Sequence, residues 1–197
     1  MRWNAGYPLI FNMLWVLPVL IGCSVGYMAF RTIQIDLAIA ALVGMFFLST
    51  FQHCIHVSHG ASSTVVPYPE LKIYAKIYAL IITVIGIYIV INRPYALMGI
   101  AAGILTAVAY TKIHKEEFWS LGHAISMPTA CYIATGHLNV PIGLILVGIA
   151  LIMGAGLFSY RALTGDYDNV PRMPILQRFV SLYLAGLLVT AVGFALA

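Results

Sequence analysis

Apolar residues dominate this chain in long stretches separated by short polar segments. Seven stretches stand out, at residues 7–30, 37–56, 73–92, 95–111, 118–136, 141–161 and 175–197. Each approaches the about 20 apolar residues that cross about 30 Å of hydrocarbon as a helix. The fourth is short and follows Arg93–Pro94 directly, so the third and fourth are expected to form a tight hairpin. The fifth carries Ser120, His123, Ser126, Pro128 and Thr129, which suits a helix buried among others rather than one facing lipid. Glycines recur as Gly99–Ile–Ala–Ala–Gly103 and Gly154–Ala–Gly156, and small residues of this kind are expected to mark faces where membrane helices approach closely. No internal repeat or low-complexity segment interrupts the pattern. It predicts an all-α fold, a polytopic membrane helix bundle of about seven transmembrane helices, with residues 1–197 as a single transmembrane domain.

Composition sharpens this reading. Of the 197 residues, 62% are hydrophobic and 8% charged, with a mean hydropathy of +0.97. A soluble domain carries roughly 25% charged residues. A water-soluble enzyme, a disordered tail and a free nucleic-acid-binding domain are thereby excluded, and no nucleic-acid partner is expected. Cys23, Cys54 and Cys131 are odd in number and scattered, which gives no disulfide framework. Met1–Arg2 leads into a long apolar run without the short apolar core and small-residue cleavage site of a signal peptide, so the first helix is expected to be retained.

The cations then orient the bundle. With seven spans, the side bearing the N-terminus (side A) collects Arg2, Lys72, Lys76, Lys112, Lys115, Arg161, Arg172 and Arg178, while the opposite side B has Arg31 and Arg93. Positive charge is retained on the cytoplasmic side, so side A is expected to be cytoplasmic and the C-terminus to lie opposite.

Side A also gathers the chemistry. It holds Glu70, Glu116, Glu117, Asp166 and Asp168, together with His53, His56, His59 and His114. Ionisable groups at a membrane edge are costly and therefore functional candidates. His53 and His56 are one helical turn apart and share a face. Imidazoles at that spacing can hold a transition metal, an axial haem position or a phosphate, and can equally be interfacial groups bonded to backbone or water. Between the last two spans, Gly165–Asp166–Tyr167–Asp168–Asn169 can bind a hard divalent cation through oxygens, with Arg161 and Arg172 holding the anion it brings. The same letters make an ordinary turn.

With these two segments in hand, the chain resembles the UbiA superfamily of intramembrane prenyltransferases as a divergent member. Gln52–His53–Cys54–Ile55–His56 falls where that family carries its first aspartate-rich motif, with Gly60 matching a glycine after it. Arg161, Gly165 and Asp166 match the second motif, and Arg172 falls on a following arginine. The segments Ala109–Tyr110–Thr111 through Lys115 to Leu121–Gly122, and Pro128 through Ala134–Thr135–Gly136, look like the stretch around the family's fifth helix. The departures are equally specific. Gln52, His53 and His56 replace Asn and Asp, and Ser159 and Ala162 stand where acids belong. The family usually has nine helices.

The resemblance implies transfer of a polyprenyl group from a prenyl diphosphate to a hydrophobic or aromatic acceptor, in a lipid-accessible central cavity open toward the cytoplasm. It implies Mg²⁺ on Asp166 and Asp168, with His53 and His56 donating hydrogen bonds where acids normally recruit metal. Gln52, Tyr110, Lys115, Arg161, Asn169 and Arg172 would contact the substrate. Imidazole is a poor ligand for so hard an ion. Two alternatives therefore stand beside catalysis: a degenerate paralogue that binds membrane lipid or supports a partner membrane subunit, and a subunit holding a metal or haem on histidines. A retinal protein is set aside because the last span has Arg178 but no lysine for a Schiff base. A zinc hydrolase matching at Ser49 and His53 is set aside because that span has no histidine.

Overall fold

The computed structural model describes the backbone of residues 6–58, 71–113, 116–163 and 172–197, and, within these, side chains other than those of 6–14, 53, 55–58, 107, 110–113, 116–119, 157–163 and 172–176. Each expected apolar stretch is one helix: α1 (Gly6–Phe30), α2 (Ile35–Ser58), α3 (Leu71–Asn92), α4 (Ala96–Ile113), α5 (Glu116–Thr135), α6 (Val140–Leu163) and α7 (Arg172–Leu196). There is no strand among the described residues. Three described stretches, Ile35–Gln52, Leu71–Asn92 and Gln177–Leu196, are long and apolar enough to cross a membrane. Trp15–Phe30, Ala96–Thr106 and Val140–Gly156 are shorter apolar stretches of the same kind.

The helix ends follow local chemistry. Asn139 caps α6, its side-chain oxygen accepting the amide N–H of Ile142 at 3.0 Å. α5 stops at Gly136, whose φ of +76° places it in the left-handed region and whose N–H reaches the carbonyl of Tyr132. α1 ends less comfortably, because Arg31 occupies the same region at φ +54°.

α5 is the hub of the bundle, packed against α1, α2, α4 and α6. α7 docks on α6, and α3 docks on α2. The contacts give the direction of each helix. Trp15 meets His123 and Gly26 meets Cys131, so α1 and α5 run the same way. Gly44 meets Ile85 and Phe47 meets Tyr78; Gly99 meets Thr129 and Gly122 meets Thr106; Ser120, near the start of α5, meets Gly154 in the second half of α6; Gly186 meets Ile152 and Gly193 meets Ile145, so the pairs α2–α3, α4–α5, α5–α6 and α6–α7 run in opposite directions. The starts of α1, α3, α5 and α7 therefore share one end of the bundle with the finishes of α2, α4 and α6. That shared end is side A.

Glycine does create the close approaches. A Cβ added at Gly26 would meet the Cys131 sulfur at 2.8 Å, and one at Gly186 would meet the backbone oxygen of Gly148 at 2.8 Å. The two glycine runs split, however. Gly99 seats against Thr129 and Gly154 against Ser120, whereas Gly103 and Gly156 have nothing within 4 Å of an added Cβ. Gly156 is exposed on α6, and Gly103 borders empty space inside the bundle.

Candidate functional site: an apolar cleft beneath a buried polar layer

Empty space opens where α3 and α4 part. The two helices are joined by a short turn in which the N–H of Ala96 bonds the carbonyl of Arg93 at 2.9 Å, yet beyond the turn they barely touch. The expected hairpin is therefore tight at its turn and splayed along its length. The gap is a cleft with about 790 Å³ of empty space, part of it open to the surroundings. α1 to α5 all contribute wall residues, among them Trp15, Gly44, Leu48, Ile85, Gly86, Ile100, Gly103 and Ile133. From Gly122 to Ile133 the cleft follows α5 for about 16 Å, at about 1.5 Å per residue.

Toward side A, the buried interior turns polar. Trp15 of α1, Ser49 and Gln52 of α2, Thr106 of α4, and Ser120 and His123 of α5 are all buried, though they come from four helices. His123 is completely enclosed, with its ring edge-on to Trp15 at a centroid distance of 4.9 Å. Thr106 donates to the carbonyl of Gly103 at 2.8 Å, and Ser49 donates to that of Phe46 at 3.0 Å. The hydroxyl of Ser120 has no hydrogen-bond partner among the described residues. Buried polar groups in an apolar bundle are costly, and all the described buried polar residues except Thr135 gather at this end.

The residues expected to form the site stand around that same end, to the extent that they are described. Gln52 is buried in α2. His53 and His56 lie on the last turns of α2, Tyr110 near the finish of α4, Arg161 near the finish of α6 and Arg172 at the start of α7. The backbone thus brings these five positions to side A, while their side chains lie outside the described residues. Lys115, Asp166, Asp168 and Asn169 lie outside the described residues altogether, as do His59 and His114. Among the described residues no three His, Cys, Asp or Glu side chains come together to hold a metal ion. α6 does not line the cleft; α5 separates it from that space. The expected single chamber facing both α2 and α6 is, over the described residues, a cleft between α2, α3, α4 and α5, with α1 behind it.

Side B, which the sequence marks only by Arg31 and Arg93, has contacts of its own. Tyr88 donates to a carboxylate oxygen of Asp36 at 2.6 Å. Arg93 donates to the side-chain oxygen of Gln34, whose own N–H bonds the carbonyl of Ala134 at 2.7 Å. The Arg93 guanidinium lies directly over Gly136, 3.0 Å from where a Cβ would stand. This latch ties the start of α2, the finish of α3 and the turn after α5. It lies toward the end of the bundle where Ile89 and Ile133, which line the cleft, are buried. Compared with known proteins, the chain matches no family model, no curated protein and no solved structure.

Proposed function

We propose that this chain is a multi-pass membrane protein of UbiA-like architecture that binds a polyprenyl diphosphate and transfers its polyprenyl group to a hydrophobic or aromatic acceptor. One observation carries the reading: an apolar cleft runs along the helices and is topped, at the cation-rich end, by a buried polar layer. An amphipathic substrate with a long hydrocarbon tail and a polyanionic head is the ligand class that such a division suits. Side A, with eight of the ten Lys and Arg residues in its loops and helix ends, faces the cytoplasm in this reading.

The residues have separable tasks. The cleft holds the tail and keeps water from the reacting carbon. Arg161, Arg172 and Lys115 hold the diphosphate, with Gln52, Tyr110, His53 and His56 donating hydrogen bonds to it. The carboxylates of Asp166 and Asp168 and the amide oxygen of Asn169 fit a single hard cation and are too few for two. A Mg²⁺ ion bound there supplies positive charge against the leaving diphosphate. The allylic carbon–oxygen bond breaks with its electron pair leaving on the diphosphate, and the acceptor's nucleophilic atom bonds that carbon and gives up a proton.

The test is diphosphate release from a labelled prenyl diphosphate by the purified chain with Mg²⁺ and lipid, compared with Asp166→Ala. Release that disappears in the variant supports transfer; equal release from both removes this mechanism. A second reading is favoured by the imidazoles at 53 and 56 in place of carboxylates. In it the cleft holds a lipid without reacting it, or the chain supports an active partner subunit. It predicts tail binding with no release by the chain alone.

A further inference from the structure

Two glycines line the cleft without serving any helix contact. Gly86 on α3 and Gly103 on α4 are both partly buried, and a Cβ built on either meets nothing within 4 Å. Elsewhere in the bundle, a glycine facing another helix is seated against it: Gly99 on Thr129, Gly148 on Gly186 and Thr190, Gly193 on Ile145. Gly86 and Gly103 are therefore not explained by close helix packing. Their effect is to keep the space between α3 and α4 open.

The wall chemistry narrows what that space can take. No charged side chain lines it. Its two hydroxyl residues spend their protons on their own helix, Thr129 donating to the carbonyl of Ile125 at 2.7 Å and Ser126 to that of His123 at 3.3 Å. Neither hydroxyl thus has a proton to spare for a carbonyl, a quinone oxygen or an anion. A wall so nearly apolar suits hydrocarbon best. Buried Ile89 and Ile133 stand at the far end, and α1 and α5 form the back. The side left open is the seam between α3 and α4, where Ile104 both lines the cleft and is exposed, a residue suited to lipid contact.

We propose that a single hydrocarbon chain passes into the cleft sideways from the lipid phase through the seam between α3 and α4, and that Gly86 and Gly103 are the specificity-determining residues that keep the seam wide enough for it. This rests on the reading above, in which that chain is the tail of a prenyl diphosphate. It adds the route and the residues that gate it by size. A leucine at either position starts from a Cβ that meets nothing within 4 Å and fills the seam from within. The same change at Gly156, exposed on α6 with nothing within 4 Å, adds equal bulk away from the cleft.

The experiment measures equilibrium binding of a radiolabelled polyprenol, which has the tail but no diphosphate, to the full chain in lipid nanodiscs. Wild type, Gly86→Leu, Gly103→Leu and Gly156→Leu are compared, each checked for an unchanged unfolding midpoint. Binding to both seam variants is expected to fall roughly tenfold or more, the effect of displacing about two buried methylenes, while Gly156→Leu binds as wild type. Undiminished binding to both folded seam variants overturns the proposal, as does an equal fall in Gly156→Leu. Should one seam variant fail to fold, the other decides. Because the probe has no diphosphate, a chain that binds it in this pattern yet releases no diphosphate from the prenyl substrate upholds the seam and overturns only the transfer chemistry.

Discussion

Replacing Gly136 with alanine should weaken the bundle through two separable effects. The first is conformational: φ at this position is +76°, and holding a residue with a Cβ in the left-handed region costs about 1–2 kcal/mol. The second is steric. The new methyl would stand 3.0 Å from one Arg93 nitrogen and 3.1 Å from its central carbon, so the guanidinium must move off the residue it covers. That movement strains its bond to Gln34, a contact between residues that are 59 apart in the chain. The bond is worth on the order of 1 kcal/mol. Gly136→Ala should therefore cost about 2 kcal/mol or slightly more, and Arg93→Ala alone about 1 kcal/mol. Their combination is the informative variant. Without the guanidinium the steric part vanishes, and the double substitution should fall short of the sum of the single ones by about 0.5–1 kcal/mol. The assay is reversible unfolding in mixed micelles, followed by tryptophan fluorescence. A Gly136→Ala protein as stable as wild type refutes the backbone argument; strict additivity with Arg93→Ala refutes the contact.

Other substitutions probe other links. Arg31→Gly should raise stability by about 1 kcal/mol, since glycine relieves the left-handed conformation at φ +54°; an unchanged or lower unfolding midpoint contradicts this. Gly148→Val forces a side chain into the backbone oxygen of Gly186 and the N–H of Thr190, 2.7 and 2.8 Å from the new Cβ. It should displace α7 from α6 and cost about 3 kcal/mol or more, read as a lower midpoint with new protease cleavage before α7. His123→Ala should cost about 2–4 kcal/mol, because it empties a completely enclosed site beside Trp15; a variant of wild-type stability would show that the site collapses freely. Lys72→Cys and Leu138→Cys, in a background lacking the buried Cys23, Cys54 and Cys131, should react with an impermeant maleimide from opposite sides of the membrane. Leu138→Cys reacts from outside if side A is cytoplasmic; the reverse pattern overturns the orientation.

The helices were legible because hydrocarbon demands a long, nearly uninterrupted apolar run, and this signal survives without any knowledge of neighbours. The burial of α5 was legible for a related reason: Ser120, His123 and Thr129 are poorly suited to lipid and so had to face protein. Which side chains meet across the bundle was not legible. Gly99 and Gly103 look alike in sequence, yet one seats against Thr129 and the other meets nothing within 4 Å of an added Cβ, a distinction set by the rotation of α4 relative to α5. The splaying of α3 from α4 depends on α3 docking on α2, which the hairpin turn does not encode. Arg93 was counted as a topology charge because its partners, Gln34 and Gly136, are remote in the chain and individually unremarkable. For the chemistry at side A, helix direction alone carries the argument: opposite-running neighbours bring the finishes of α2, α4 and α6 together with the start of α7.

The claim beneath the whole account is that a prenyl diphosphate lies with its tail between α3 and α4 and its head toward the polar end. Photo-crosslinking with a prenyl diphosphate carrying a diazirine at the tail terminus, followed by peptide mapping, tests it directly. The account predicts adducts on α3, α4 and α5 at residues such as Ile85, Ile89, Ile100 and Ile133, competed away by unlabelled substrate. Competed adducts on α6 and α7 instead, or adducts that unlabelled substrate does not compete, would contradict it.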